Sequence, residues 1–259
     1  EYFRWQREAL RRQLDSSDNR RLLRLYEANE QLLAAADPDR DAAAYWQLVD
    51  SQLRNLYLIQ ALVRPRAVSV SRGFTSAAPF RSEPVQDLDV HEQRLLTIQR
   101  TAVARGDELL SGFASLGGAQ AGQLRAQALL AQADWHQWNG LRSRADENYR
   151  EVVGHLQETG QESLLQDWFG SPVELPDNGA FSRDPGEGGV PVVARFAVSA
   201  SGRPRDVETT ASEEGQKGFA MRLYRGLLAT RFRPRFEGGS AVATADVERS
   251  YRYLDPETI

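Results

Sequence analysis

Cysteine is absent from all 259 residues, which excludes disulfides, thiolate metal sites and cysteine nucleophiles and leaves the redox compartment open. Lysine is almost as scarce. Of 32 basic residues only Lys217 is lysine, and with abundant alanine this is the usage of a GC-rich bacterial genome. The three histidines, His91, His136 and His155, stand at no spacing that pairs them as zinc ligands. No apolar run approaches ~20 residues, so the given chain has no membrane span. It begins at Glu1 and not at Met, which is compatible with a signal or anchor removed before this numbering starts. An excess of positive charge is missing too. Residues 1–168 carry 20 basic and 23 acidic groups and residues 169–259 carry 12 and 13, which argues against nucleic acid and anionic membranes as partners. There is no Gly-x-Ser-x-Gly, P-loop, Rossmann glycine run or His-Glu-x-x-His. The reading is therefore of a non-enzyme without a cofactor. A hydrolase using carboxylates such as Glu213 or Glu214 stays open as a weaker alternative.

What the chain does have, up to residue 168, is helix. Leu, Ala, Arg, Glu and Gln dominate, and helices are predicted near 2–14, 18–36 and 39–63. Pro38 stops the second and Asp39 is placed to cap the third. In that third helix Tyr45, Trp46, Val49, Leu53, Leu56, Tyr57 and Leu62 recur at steps of three and four, the mark of a buried stripe. Residues 64–88 hold three prolines and Gly73 and read as an irregular insertion. It is either a connector or a binding loop using Arg72, Phe74 and Phe80. Helical periodicity returns from Asp89, with Gly106-Asp107 as an expected interruption and Gly117-Gly118 as a break. The segment 123–156 then reads as a helix pair around Gly140. Its Ala133, Ala145 and Tyr149 fall where a tetratricopeptide-type hairpin places small residues and a groove-filling aromatic. Trp135 and Trp138 suit either a stacking groove or, as more often, helix packing.

Residues 169–189 shift to Gly, Pro and Ser and read as a linker between units that fold separately. Beyond it Val192, Ala194, Phe196 and Val198 alternate as in a half-buried strand, and Gly202 closes a turn onto a second strand through Val207. Ser212, followed by Glu213 and Glu214, starts a helix carrying Phe219, Ala220, Leu223, Tyr224, Leu227 and Leu228. Pro234 confines 231–236 to a lead-in or an edge. A last strand at 241–253 completes a β-β-α-β unit, so the fold class is α+β with a helical array at 1–168 and a small sheet domain at 190–259.

The run Val192-Val193-Ala194-Arg195-Phe196-Ala197-Val198, the turn glycine Gly202, the apolar helix and Phe232-Arg233-Pro234 together resemble the C-terminal domain of TonB-type energy transducers. The likeness covers roughly a third of the chain. One departure stands before the first strand, where the family's Tyr-Pro pair is replaced by Phe181-Ser182-Arg183-Asp184-Pro185. The resemblance implies a periplasmic, bacterial cell-envelope scaffold whose last strand pairs with an extended segment of an outer-membrane protein. The partner-binding candidates are thus Val247, Arg249, Tyr251 and Tyr253, with strand addition beside them and the tyrosines adding side-chain contacts. Arg231, Arg233 and Arg235 alternate, so an extended segment puts three guanidiniums on one side. That face is either solvated or receives carboxylates, which opens an alternative of peptidoglycan binding.

Overall fold

A computed structural model describes residues 16–62, 90–117, 119–175, 181–182, 190–211 and 214–253. The helix expected at 2–14, the insertion with Arg72, Phe74 and Phe80, and the helix start at Ser212 and Glu213 lie outside the described residues. In the first part six helices are described: α1 Ser16–Ala35, α2 Ala42–Leu62, α3 Val90–Ala114, α4 Ala119–Trp138, α5 Arg142–Glu158 and α6 Glu162–Phe169. α1 ends before Pro38, which has no N–H to donate. The cap of α2 is Asp41 and not Asp39: Oδ1 of Asp41 accepts the N–H of Ala44 at 2.9 Å, while Asp39 donates its own N–H to Asp37. The two aspartates are alternatives in sequence, and only the backbone path selects between them.

Of the α2 stripe, Val49, Leu53 and Leu56 are buried and Tyr45, Trp46 and Tyr57 are half-buried against the same core. Val49, Leu53 and Leu56 join Ala102, Leu110, Phe113 and Trp135 in one cluster, with Trp46 4.9 Å from Phe113. A second cluster unites Leu22, Leu23, Leu58, Ile59 and Leu95, and Arg105 ties α3 to α1 through Glu30 at 2.6 Å. α3 runs without interruption through Gly106. A Cβ there would stand 2.4 Å from Cε2 of Trp135, so this glycine admits a ring and does not end a helix. Trp135 is fully buried and donates its indole N–H to the carbonyl of Val103, and its ring packs 4.7 Å from Tyr57. It belongs to the core.

α4 and α5 pack side by side across the turn 139–141. Leu141 N–H bonds to His136 O and Gly140 N–H to Gln137 O, with Gly140 at φ 79°, which is the Schellman ending of a helix. Ala133, Ala145 and Tyr149 are all fully buried in the cluster between these helices, which also holds Phe169.

In the second part, β3 (Val190–Val198) pairs antiparallel with β4 (Pro204–Ala211) on one side and with β8 (Thr244–Tyr253) on the other. The sheet has four strands and not three, because β2 (Phe181–Ser182) adds to β8 to give the order β2-β8-β3-β4. α7 (Lys217–Ala229) follows a short 3₁₀ turn and lays Ala220, Leu223 and Leu227 over Val192, Ala194, Phe196 and Val198. The stretch expected as one strand at 241–253 is divided: β6 (Arg235–Glu237) and β7 (Ser240–Val242) form their own hairpin before β8 begins. Both neighbours of β3 bulge, β4 opposite Arg195–Ala197 and β8 opposite Phe196–Val198, and the residues that take the left-handed conformation there are Asp206 (φ 52°) and Asp246 (φ 54°).

Candidate functional site

The region expected to be a linker supplies a strand. β1 (Val173–Leu175), directly after α6, pairs antiparallel with β5 (Arg231–Arg233), so helical part and sheet part share a ladder. Register then decides where the arginines go. Arg233, opposite Val173, is 7% exposed; its Nε and Nη2 bond to Oδ1 and Oδ2 of Asp134 on α4 at 2.9 and 2.6 Å, and Nη1 bonds to Trp168 O at 2.8 Å. Its guanidinium also lies 5.7 Å above the ring of Phe169. Burial works against the Arg233 charge, but the Asp134 carboxylate outweighs it and holds the guanidinium above its ordinary value. Pro234 ends β5, and Arg235 sits in β6 paired with Glu237 at 2.5 Å. Arg231 is half-buried opposite Leu175. The expected three-guanidinium face therefore does not form, because the extended run breaks at the proline and its central member is spent on Asp134.

The same junction holds Tyr149, whose OH donates to Asp134 Oδ1 at 2.8 Å. Burial first and the Asp134 charge second push its phenol well above the usual tyrosine range. Gln137, one turn along α4, donates from Nε2 to Ser201 O at 3.0 Å and to Phe232 O at 2.8 Å. Phe232 N–H in turn donates to Gly202 O at 2.9 Å, so the turn glycine and the Phe-x-Pro segment meet. Asp134, Gln137 and Glu174 were not singled out from sequence. Their one signal was polarity at buried positions of an otherwise apolar helix or strand face.

β8 supplies the other candidates. Val247, Arg249 and Tyr251 lie opposite Phe196, Ala194 and Val192, on the sheet face that carries the core. Val247 is half-buried there. Tyr251 is fully buried with its OH on Glu174 Oε2 at 2.9 Å, so its side chain is turned inward and is not a partner contact. Arg249 reaches the carbonyl of Pro172 and lies 5.6 Å above the Phe232 ring. Tyr253 pairs with both Val190 and Phe181. On the side of β8 away from β3, β2 covers only Arg252 and Tyr253, and no described strand lies along β8 before them. The solvent face there carries Glu248, bonded to Arg195 at 2.6 Å, and Ser250.

Among the described residues no group of three or more His, Asp or Glu is placed to hold a metal ion. His136 instead bonds through Nε2 to Asp107 at 2.7 Å, beside Arg144. No described helix is long and apolar enough to cross a membrane. No protein family, curated protein or solved structure matches the chain.

Proposed function

We propose that this protein is a non-enzymatic adaptor of the bacterial cell envelope, working in the periplasm, that binds an extended segment of a protein partner by strand addition along β8. The observation that carries the reading is the edge of β8, which has a described strand only at Arg252 and Tyr253 although the strand starts at Thr244. Such an edge is a template for another chain, with backbone hydrogen bonds supplying the affinity. The inward turn of Val247, Arg249 and Tyr251 leaves Glu248 and Ser250 as the side chains a partner would pass, so recognition rests mainly on backbone. The resemblance to TonB-type C-terminal domains supports an outer-membrane protein as the source of the added strand.

The test is a photo-cross-linker at Glu248 in cells, compared with proline replacements in both pairing phases at other positions of β8. Val247→Pro and Ser250→Pro each remove one N–H, and only one phase faces the open side. The variant that leaves the sheet folded should lose the cross-link to a protein. A cross-link that persists in the folded proline variant would exclude strand addition at this edge.

A further inference from the structure

Away from β8, a groove of about 390 Å³ runs between α5 and the two hairpin turns of the sheet part. One wall is the row Arg142, Asp146, Arg150; the other carries Ser201 and Ser240, with Phe236 between. Phe236 is anchored, its ring 5.5 Å from Tyr149 and 5.1 Å from Phe169, so the hairpin wall has a fixed relation to α5. The charges of the row are uncommitted. Arg142 and Arg150 each stand four residues from Asp146, the spacing at which helix ion pairs form. Neither makes an ion pair among the described residues, whereas Arg144, on the adjacent side of the helix, is bonded to Asp107.

From this arrangement we infer that the groove binds an acidic peptide in extended conformation, separately from the β8 edge. Arg142 and Arg150 are eight residues apart on α5, about 12 Å along the axis. Side chains four residues apart on an extended peptide project to one side at a spacing of about 13 Å. Two peptide carboxylates at that interval meet the two guanidinium forks, which match carboxylates in geometry as well as charge. Asp146 then faces the side chain of the peptide residue midway between the two glutamates, where a serine hydroxyl is a donor it accepts from, and the serine hydroxyls on the opposite wall take either polarity. A single small anion leaves Asp146 facing like charge, so the peptide fits the row better than phosphate or acetate does.

The probe is a fluorescein-labelled peptide of alanine and serine with two glutamates four residues apart, read by fluorescence anisotropy with the full chain. The control peptide has the same composition with its glutamates adjacent. The spaced peptide should bind several-fold tighter than the control, and Arg142→Glu with Arg150→Glu should weaken it by at least about tenfold. Ser240→Trp, which fills the groove without changing charge, should weaken it as well, while Arg205→Glu on the exposed face of β4 should not. Circular dichroism on each variant shows whether the fold is kept. Equal binding of both peptides, loss in Arg205→Glu equal to that in the groove variants, undiminished binding by folded Ser240→Trp, or no binding at all would each overturn the inference.

Discussion

Tyr149 shows what a single side chain does at the junction. Its ring fills the space between α5, Phe169 and Phe236 at centroid distances of 5.9 and 5.5 Å, while its OH completes the shell of Asp134. A carboxylate so placed needs its partners, since leaving one member of a buried ion pair alone costs about 3–5 kcal/mol. The raised phenol makes a prediction with a definite sign. In the unfolded chain tyrosine ionises near pH 10. In the folded chain Tyr149 stays protonated above that. Above about pH 10 the unfolded state therefore holds fewer protons than the folded one, and stability declines as pH rises. The contribution is whole below pH 10 and disappears towards the higher folded value, at a limiting slope of about 1.4 kcal/mol per pH unit. Urea denaturation from pH 8 to 12 should show that decline, and Tyr149→Phe should make it shallower even though the lost hydrogen bond lowers the starting level. An unchanged slope in the variant would mean that the phenol ionises in place.

Among the elements, α3 and the β3–β4 hairpin each depend on a glycine for closeness to a neighbour. Gly106 and Gly112 sit in the same helix, yet a Cβ at Gly106 meets the Trp135 indole at 2.4 Å and one at Gly112 meets nothing within 4 Å. Helix propensity favours alanine at both positions by roughly 0.5–1 kcal/mol. Gly112→Ala should therefore raise the melting temperature. Gly106→Ala should lower it, because overpacking a core ring costs about 1–3 kcal/mol. Shifts of the same sign in the two variants would show that the Trp135 contact is not tight. Gly202 combines both constraints, with φ 69° and a would-be Cβ 2.0 Å from Phe232 O and 2.1 Å from Gln137 Nε2. The sequence pattern identified it as a turn residue. That it also touches α4 was not legible, since a turn signal says nothing of what lies beneath the turn.

The molecule as a whole is joined more closely than its composition shift suggests. Apart from the shared β1–β5 ladder, the junction is made of Asp134–Arg233, Gln137 with two backbone carbonyls, Glu174–Tyr251 and Phe236 on Tyr149. A fragment 190–259 would keep the apolar core of β3, β4, β8 and α7 but expose Phe232, Arg233 and Phe236 and strand Tyr251 without Glu174. Its thermal transition by circular dichroism should fall more than about 10 °C below that of the full chain. Fragment 170–259, which restores β1 and Glu174, should recover part of the difference. A 190–259 transition as high as that of the full chain would show that the two parts are stable independently.

Local information was sufficient for most elements. The steps of three and four residues in α2 and α7, the alternation in β3, the turn at Gly140 and the hairpin at Gly202 were all readable, because each depends on residues within a turn or a strand of one another. The pattern also identified which face of each element is apolar. It did not identify what that face meets. Asp134 and Arg233 are 99 residues apart, and nothing in an alternation of three arginines marks its middle member as the one to be buried on a carboxylate. Likewise a strand of three residues in a Gly-Pro segment, β1, has no period long enough to be seen. It exists because β5 offers it a partner and Glu174 receives the hydroxyl of Tyr251. Hydrophobic periodicity acts over a few residues, whereas polar satisfaction at a buried junction is settled only when distant segments have been brought together.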